Sequence, residues 1–330
     1  MRVFRRALYS VLLVLAVGIS LYFVPTPYFL VMPGSVRDLG ESITVEGGHK
    51  RERGQMLMTT IITREASALL VVYGALHPGV DLRHREEFLR PGEDVDEYVE
   101  RMKQMMSDSQ GLAAVAALKY LGLEAQVKGE GARVAEVLSG SVRGTIEVGD
   151  IIVGIDGRRV EFPGDLRRYL ETRRPGDSVF LRLRRGPREV TVKLEVGAPP
   201  PGRSGASLGL YVEPAGLVFD VPLDISIEVG NTTGPSAGLM FALEIIDQLT
   251  PEELTGGYRV AGTGTIDERG NVGPIGGIRL KVLTVEAAGV DYFLVPAANQ
   301  SEAEAAARRV AIVPVATLED AVTYLREELP

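Results

Sequence analysis

The chain has no cysteine. That excludes a thiolate nucleophile and disulfides, and it accords with an exported protein that does without disulfides. Histidine is scarce, with only His49, His77 and His84, all in the first third. A serine further along therefore cannot use the Ser…Asp/Glu…His order of α/β-hydrolases. His77, His84, Glu86 and Glu87 match no metal-ligand spacing and read as a charged loop. After Lys193 the only lysine is Lys281; the other cations there are arginines, which do not give up a proton. The dipeptide Gly-Lys is absent, which excludes a phosphate-binding P-loop. A formal net charge of −8, with no region interleaving basic and aromatic residues, argues against a nucleic-acid partner. No cofactor is called for.

What is present centres on Gly230-Asn231-Thr232-Thr233-Gly234-Pro235-Ser236-Ala237-Gly238. The β-rich run Leu223 to Val229 precedes it. Leu239, Ala242, Leu243 and Ile246 follow at helical spacing. Ser236 is thereby placed at or near a helix N-terminus, where unpaired N–H groups can stabilise an anion. One reading makes Ser236 a helix cap; another makes it a nucleophile. A nucleophile needs a base, and a lysine qualifies if its surroundings lower its pKa to ~7–8. Lys281 lies among apolar Leu280, Val282 and Leu283.

Gly234-Pro235-Ser236-Ala237-Gly238, followed by Gly273-Pro274-Ile275-Gly276-Gly277-Ile278-Arg279-Leu280-Lys281, resembles the proteolytic domain of Lon-type peptidases. The likeness runs on through Gly289 and Tyr292–Pro296 to Asn299. It implies Ser236 as nucleophile, Lys281 as base, Thr263 as the threonine contacting the lysine, and backbone N–H groups of Gly234 and Ser236 as oxyanion donors. Thr265 stands where the family usually has glutamate, and Thr233 where it often has aspartate. Assembly into homo-oligomers, a hexameric ring among them, is implied by the same resemblance.

No charged residue lies between Arg6 and Arg37. Ala7 to Val24 is almost wholly apolar and Tyr28 to Met32 extends it, a length expected to span a bilayer. Arg2, Arg5 and Arg6 precede it, which orients the N-terminus to the cytoplasm and the rest outside. Cleavage at Ala16-Val17-Gly18 as a signal peptide is the competing expectation. Ser42–Glu46 and Gln55–Ile62 read as strands, and Glu97–Met106 and Gln110–Leu121 as two helices. Pro27-Tyr28, Val45-Glu46-Gly47-Gly48 and Ser107-Asp108-Ser109-Gln110 are similar to the juxtamembrane region of bacterial membrane-anchored Lon-like proteins.

Residues 125–197 alternate strands and turns around Gly149-Asp150 and Asp156-Gly157. This pattern resembles a PDZ domain. A peptide partner is then expected on the strand Ala132 to Leu138, facing the helix Phe162 to Thr172. Gly129-Glu130-Gly131 is the nearest match to a carboxylate loop. Gly197 to Gly205, with Pro199-Pro200-Pro201, reads as a semi-rigid linker.

The expected fold class is multidomain α+β. It comprises a cytoplasmic tail (1–6), a transmembrane helix (7–28), a small α+β juxtamembrane region (29–124), a PDZ-like domain (125–197), a linker (198–205) and a Lon-type proteolytic α/β domain (206–330). The expected function is an ATP-independent serine endopeptidase at the cell membrane, single-pass, acting on flexible extracytoplasmic or membrane-protein segments. The alternative is a non-catalytic membrane scaffold that binds peptides.

Overall fold

The computed structural model describes residues 2–51, 53–90, 92–138, 142, 144–199 and 204–329. The chain divides into two compact units, Met1–Ala125 with Val221–Pro330, and Gln126–Asp220. The second unit is thus an insertion in the sequence of the first.

The first element is a 22-residue helix, Arg2–Phe23. No helix among the described residues is long and apolar enough to cross a membrane. That overturns the expected transmembrane anchor over 7–28, and with it the single-pass localisation and the attachment to a membrane through this helix. The apolar run is divided near Pro25. Its second part is a strand, Pro25–Asp38, in which Phe29, Leu30 and Val31 are buried in a sheet. Beyond Arg6 the helix keeps only Ala7–Phe23, about 26 Å at ~1.5 Å per residue, against a hydrocarbon core of ~30 Å.

The sheet of the larger unit runs Ala311–Val315, Tyr292–Pro296, Arg259–Gly262, Gln55–Ser67, Pro25–Asp38, Asp81–His84. The first four strands run parallel, and Pro25–Asp38 runs antiparallel to both of its neighbours, Gln55–Ser67 and Asp81–His84. Residues 29–124 are therefore not set apart as a juxtamembrane region. Their strand Gln55–Ser67 lies directly beside Arg259–Gly262, with Leu57 opposite Ala261. Phe293, Leu294 and Val295 are fully buried, as expected of parallel strands covered on both faces.

Two helices, Gly238–Leu249 and Val95–Tyr120, pack against one another. The first is buried from Gly238 to Gln248. The second is one continuous helix of 26 residues, where the sequence suggested two. Gly111 costs a helix interior ~1 kcal/mol, but burial of Leu112 to Leu118 outweighs it. Asp94 caps its start by accepting from the Glu97 N–H at 2.9 Å.

The smaller unit is a sheet ordered Arg188–Glu195, Ser178–Arg185, Ile151–Ile155, Gly131–Val137, Leu210–Ala215, with the helix Pro163–Glu171. Val134, Ile152, Ile155, Leu166, Leu181 and Leu208 form its core. Asp156 and Gly157 both have positive φ, 44° and 76°, the backbone that a two-residue hairpin needs. Residues 206–220 belong to this unit and not to the C-terminal one. Half of the expected linker, 200–203, lies outside the described residues. The edge proposed for peptide, Ala132 to Leu138, is not open. The chain's own Leu210–Ala215 pairs along it, with Val212 opposite Val134. The sheet instead ends on Leu210–Ala215, which runs beside the helix Pro163–Glu171. Gly131, offered as the end of a carboxylate loop, is the first residue of the strand Gly131–Val137.

Candidate active site

Ser236 sits two residues ahead of the helix Gly238–Leu249, whose N-cap is Ala237. It is not a cap, and its side chain is turned to a different partner. Gly234 takes φ +90°, a backbone that disfavours any side chain. The turn is pinned to the strand end that follows Gly262. The Gly264 N–H donates to the Ser236 carbonyl at 2.8 Å, and the Leu239 N–H donates to the Gly264 carbonyl at 3.1 Å.

Lys281 is delivered by the helix Ile278–Ala287, which starts after Gly277 in the left-handed region, φ 71°. Ile278, Val282 and Val285 face the sheet core. Leu280, Lys281 and Thr284 are buried as well, so the lysine's turn of helix has little access to water. Asn299 steadies the approach to this helix, accepting from the Ile275 N–H at 2.9 Å and donating to its carbonyl at 3.1 Å.

The lysine is 2% exposed. Its Nζ lies 2.7 Å from Ser236 Oγ and 2.8 Å from Thr263 Oγ1. Thr263 Oγ1 in turn donates to the Ser236 carbonyl at 2.9 Å. Burial disfavours the charged amine and draws its pKa from 10.5 down to about 7. Ser236 itself is half-buried, placed between this interior and the surface. Residues 45 positions apart are thereby joined into one cluster with a hydroxyl, an amine and a second hydroxyl.

Of the two backbone groups expected to bind an oxyanion, one is taken. The Gly234 N–H donates to the Met102 carbonyl at 2.9 Å. Among the described residues, no acceptor is bound by the Ser236 N–H. Thr233 is exposed. Thr265 begins the short strand Thr265–Ile266, paired with Val272–Gly273, and its hydroxyl lies over Gly273. Sequence reasoning missed Met102 and Ser109, both on Val95–Tyr120. The signal available was Ser107-Asp108-Ser109-Gln110, to which no chemistry had been attached.

Family models match two stretches. Residues 222–325 match the Lon protease (S16) C-terminal proteolytic domain, and residues 119–196 match the PDZ domain. Among curated relatives, a Lon protease of Neorickettsia sennetsu is 32% identical over 115 residues, 34% of this chain and 14% of that one. A Lon protease of Trichlorobacter lovleyi is 36% identical over 101 residues, 29% of this chain and 12% of that one. Lon protease 1 of Thermus thermophilus is 33% identical over 118 residues, 35% of this chain and 14% of that one. The chain thus spans about one-seventh of the length of these relatives. Among solved structures, the PDZ domain of an SdrC-like protein from Listeria monocytogenes is 19% identical, covering 25% of this chain and 87% of that one, with a TM-score of 0.24. The chain carries a Lon-type proteolytic domain and a PDZ domain, and Lon proteases are its relatives.

Proposed function

We propose that the chain is a serine endopeptidase in which Ser236 and Lys281 form a catalytic dyad. The observation that carries this is the buried Lys281 amine, 2.7 Å from Ser236 Oγ, with no histidine near in sequence to compete for the role. The Thr263 hydroxyl has a single proton, spent on the Ser236 carbonyl. It can therefore only accept from Lys281, and a neutral amine that donates there keeps a lone pair able to accept from the Ser236 hydroxyl. Ser236 Oγ attacks the scissile carbonyl carbon, and its proton passes to Lys281 Nζ. The carbonyl oxygen becomes an oxyanion, bound by the Ser236 N–H. Collapse breaks the C–N bond, and Lys281 returns the proton to the departing amine. A water, deprotonated by Lys281, then attacks the acyl carbon; the C–Oγ bond breaks and Lys281 returns the proton to Ser236 Oγ. Thr263 orients the lysine throughout.

Nothing in these 330 residues binds nucleotide phosphates through a P-loop, so the hydrolysis proceeds without ATP. It acts on polypeptide that is already flexible. The PDZ domain engages such segments by strand addition along the Leu210–Ala215 edge, beside Pro163–Glu171. The chain assembles as a homo-oligomer, which light scattering of the purified protein tests.

The test is hydrolysis of a library of unstructured peptides by the purified chain, compared with Ser236→Ala and Lys281→Arg. Guanidinium keeps the charge but cannot act as a base, so both variants lose turnover. Their losses do not add, because nucleophile and base act as one unit. A folded Lys281→Arg variant that retains substantial turnover sinks the dyad and favours a scaffold that only binds peptides.

A further inference from the structure

The helix Val95–Tyr120 meets the nucleophile turn at two points. The Met102 carbonyl accepts from the Gly234 N–H at 2.9 Å. Two turns later, the Ser109 hydroxyl donates to the Pro235 carbonyl at 3.1 Å. Ser109 is 3% exposed, so its hydroxyl is held inside the fold. The fit is close on both sides. A Cβ on Gly234 would lie 2.7 Å from Met102 Cε, and one on Gly238 would lie 2.8 Å from Ser109 Oγ. Glycines flanking Ser236 thus let this helix approach the turn.

The Pro235 carbonyl and the Ser236 N–H belong to the same peptide unit. That unit is planar and trans, so its C=O and N–H point in opposite directions. Whatever fixes the carbonyl also aims the N–H. Pro235 O has one other donor, the Gly238 N–H, at a long 3.4 Å. The hydroxyl of Ser109 is therefore the nearer and better-placed hold on this plane. With the Gly234 N–H already given to Met102, the Ser236 N–H carries more of any anion stabilisation.

We infer that Ser109 is a positioning residue for acyl transfer: by holding the Pro235 carbonyl it aims the Ser236 N–H at the oxyanion. This rests on the peptidase proposal. It also gives residues 95–120, outside the segment matched to the Lon family model, a part in the chemistry. Ser109 touches neither substrate nor Lys281 in this scheme. It acts through the direction of one amide.

The experiment measures kcat and KM of the full chain on an unstructured fluorogenic peptide, for wild type, Ser109→Ala, Ser109→Thr and Ser236→Ala. A peptide boronate of the same sequence serves as a tetrahedral probe. Deleting an oxyanion donor outright costs about 10²–10³ in kcat, so a loosened donor should cost about tenfold or more. Ser109→Ala is expected to lower kcat by that factor, leave KM within about twofold, and weaken the boronate in proportion to kcat. The midpoint of the pH–rate limb stays unchanged, because Lys281 is untouched. Ser109→Thr, which keeps the hydroxyl, restores kcat at least in part. Unfolding midpoints and circular dichroism of each variant are taken at the assay temperature. Wild-type kcat in Ser109→Ala, or a loss accounted for wholly by its unfolded fraction, overturns the inference alone. So does a folded Ser109→Thr no faster than Ser109→Ala. No Ser236-dependent cleavage in the wild type overturns the peptidase proposal and this inference together.

Discussion

The amine of Lys281 sets a quantitative expectation for the pH dependence of turnover. Burial holds its pKa at about 7 instead of 10.5. Only the neutral form can take the Ser236 proton. At pH 6 about one-eleventh of the lysine is neutral, and at pH 8 about ten-elevenths, so kcat/KM rises about tenfold between them and then levels. An unshifted lysine would give about a hundredfold rise over the same interval and no plateau below pH 10. The assay is kcat/KM on a fluorogenic peptide from pH 5.5 to 9.5 at constant ionic strength. The same shift makes a stability statement. Between about pH 7 and 10.5 the unfolded chain holds a proton on this lysine that the folded chain has released, so stability rises with pH there. The full difference is about 5 kcal/mol at ~1.4 kcal/mol per pKa unit, and the penalty is complete below pH 7. Lys281→Met removes that slope. It also takes the amine away from the half-buried Ser236 hydroxyl and from the Thr263 hydroxyl, which keeps its bond to the Ser236 carbonyl. A rate limb centred above pH 9, or a Lys281→Met variant with the wild-type slope of stability against pH, would refute the reasoning.

Glu244 is buried on Gly238–Leu249 and accepts from Gln248 Nε2 at 2.8 Å; burial, with Asp247 and Asp38 nearby, raises its pKa to about 7. Its contribution is full below about pH 4.5 and is lost as pH rises through 7, so Glu244→Gln should raise the unfolding midpoint at pH 8 more than at pH 5, by up to about 3 kcal/mol in equilibrium denaturation. Arg51 Nε binds the buried Asp247 carboxylate at 2.9 Å. Arg51→Ala leaves that carboxylate with the Leu254 N–H at 2.6 Å and should cost about 3 kcal/mol of stability, measured by denaturant titration. Gln126 and Asp220 are paired neighbours on adjacent strands. Replacing 126–220 by a short Gly-Ser turn should therefore leave the larger unit folded. Cleavage of a short unstructured peptide should persist while cleavage of a protein substrate falls; equal loss on both would give the insertion a structural role.

Some of this was legible because it is local. The turn at Asp156-Gly157 and the glycines around Ser236 demand backbone that few other residues adopt, so they mark the chain wherever it folds. The two motif resemblances, to Lon-type and PDZ domains, rest on such residues and agree with the family models. Lys281 stood out by elimination, since the chain offers no other lysine after Lys193. What misled was any feature whose meaning depends on a distant partner. The apolar residues Phe29, Leu30 and Val31 read as an extension of a membrane helix, yet they are core residues of a strand. Ala132 to Leu138 read as an open edge because its partner, Leu210–Ala215, lies some seventy residues on, past a proline-rich stretch. Hydropathy counts what is apolar and says nothing of what covers it.

By itself the sequence determined the chemical inventory: one serine turn, one late lysine, no thiol, no later histidine, no P-loop. It also determined the local backbone of the turns, because steric restriction acts within a few residues. Only the tertiary structure decided that residues 25–67 share a sheet with 259–315, and that the unit between them is an insertion. It alone brought Nζ of Lys281 to Ser236 and buried it, which is what lowers the amine's pKa. It alone set Met102 and Ser109 against the turn that carries Ser236. Burial and approach are properties of packing between elements far apart in the chain, and solvent exclusion around one amine cannot be written in any short run of residues.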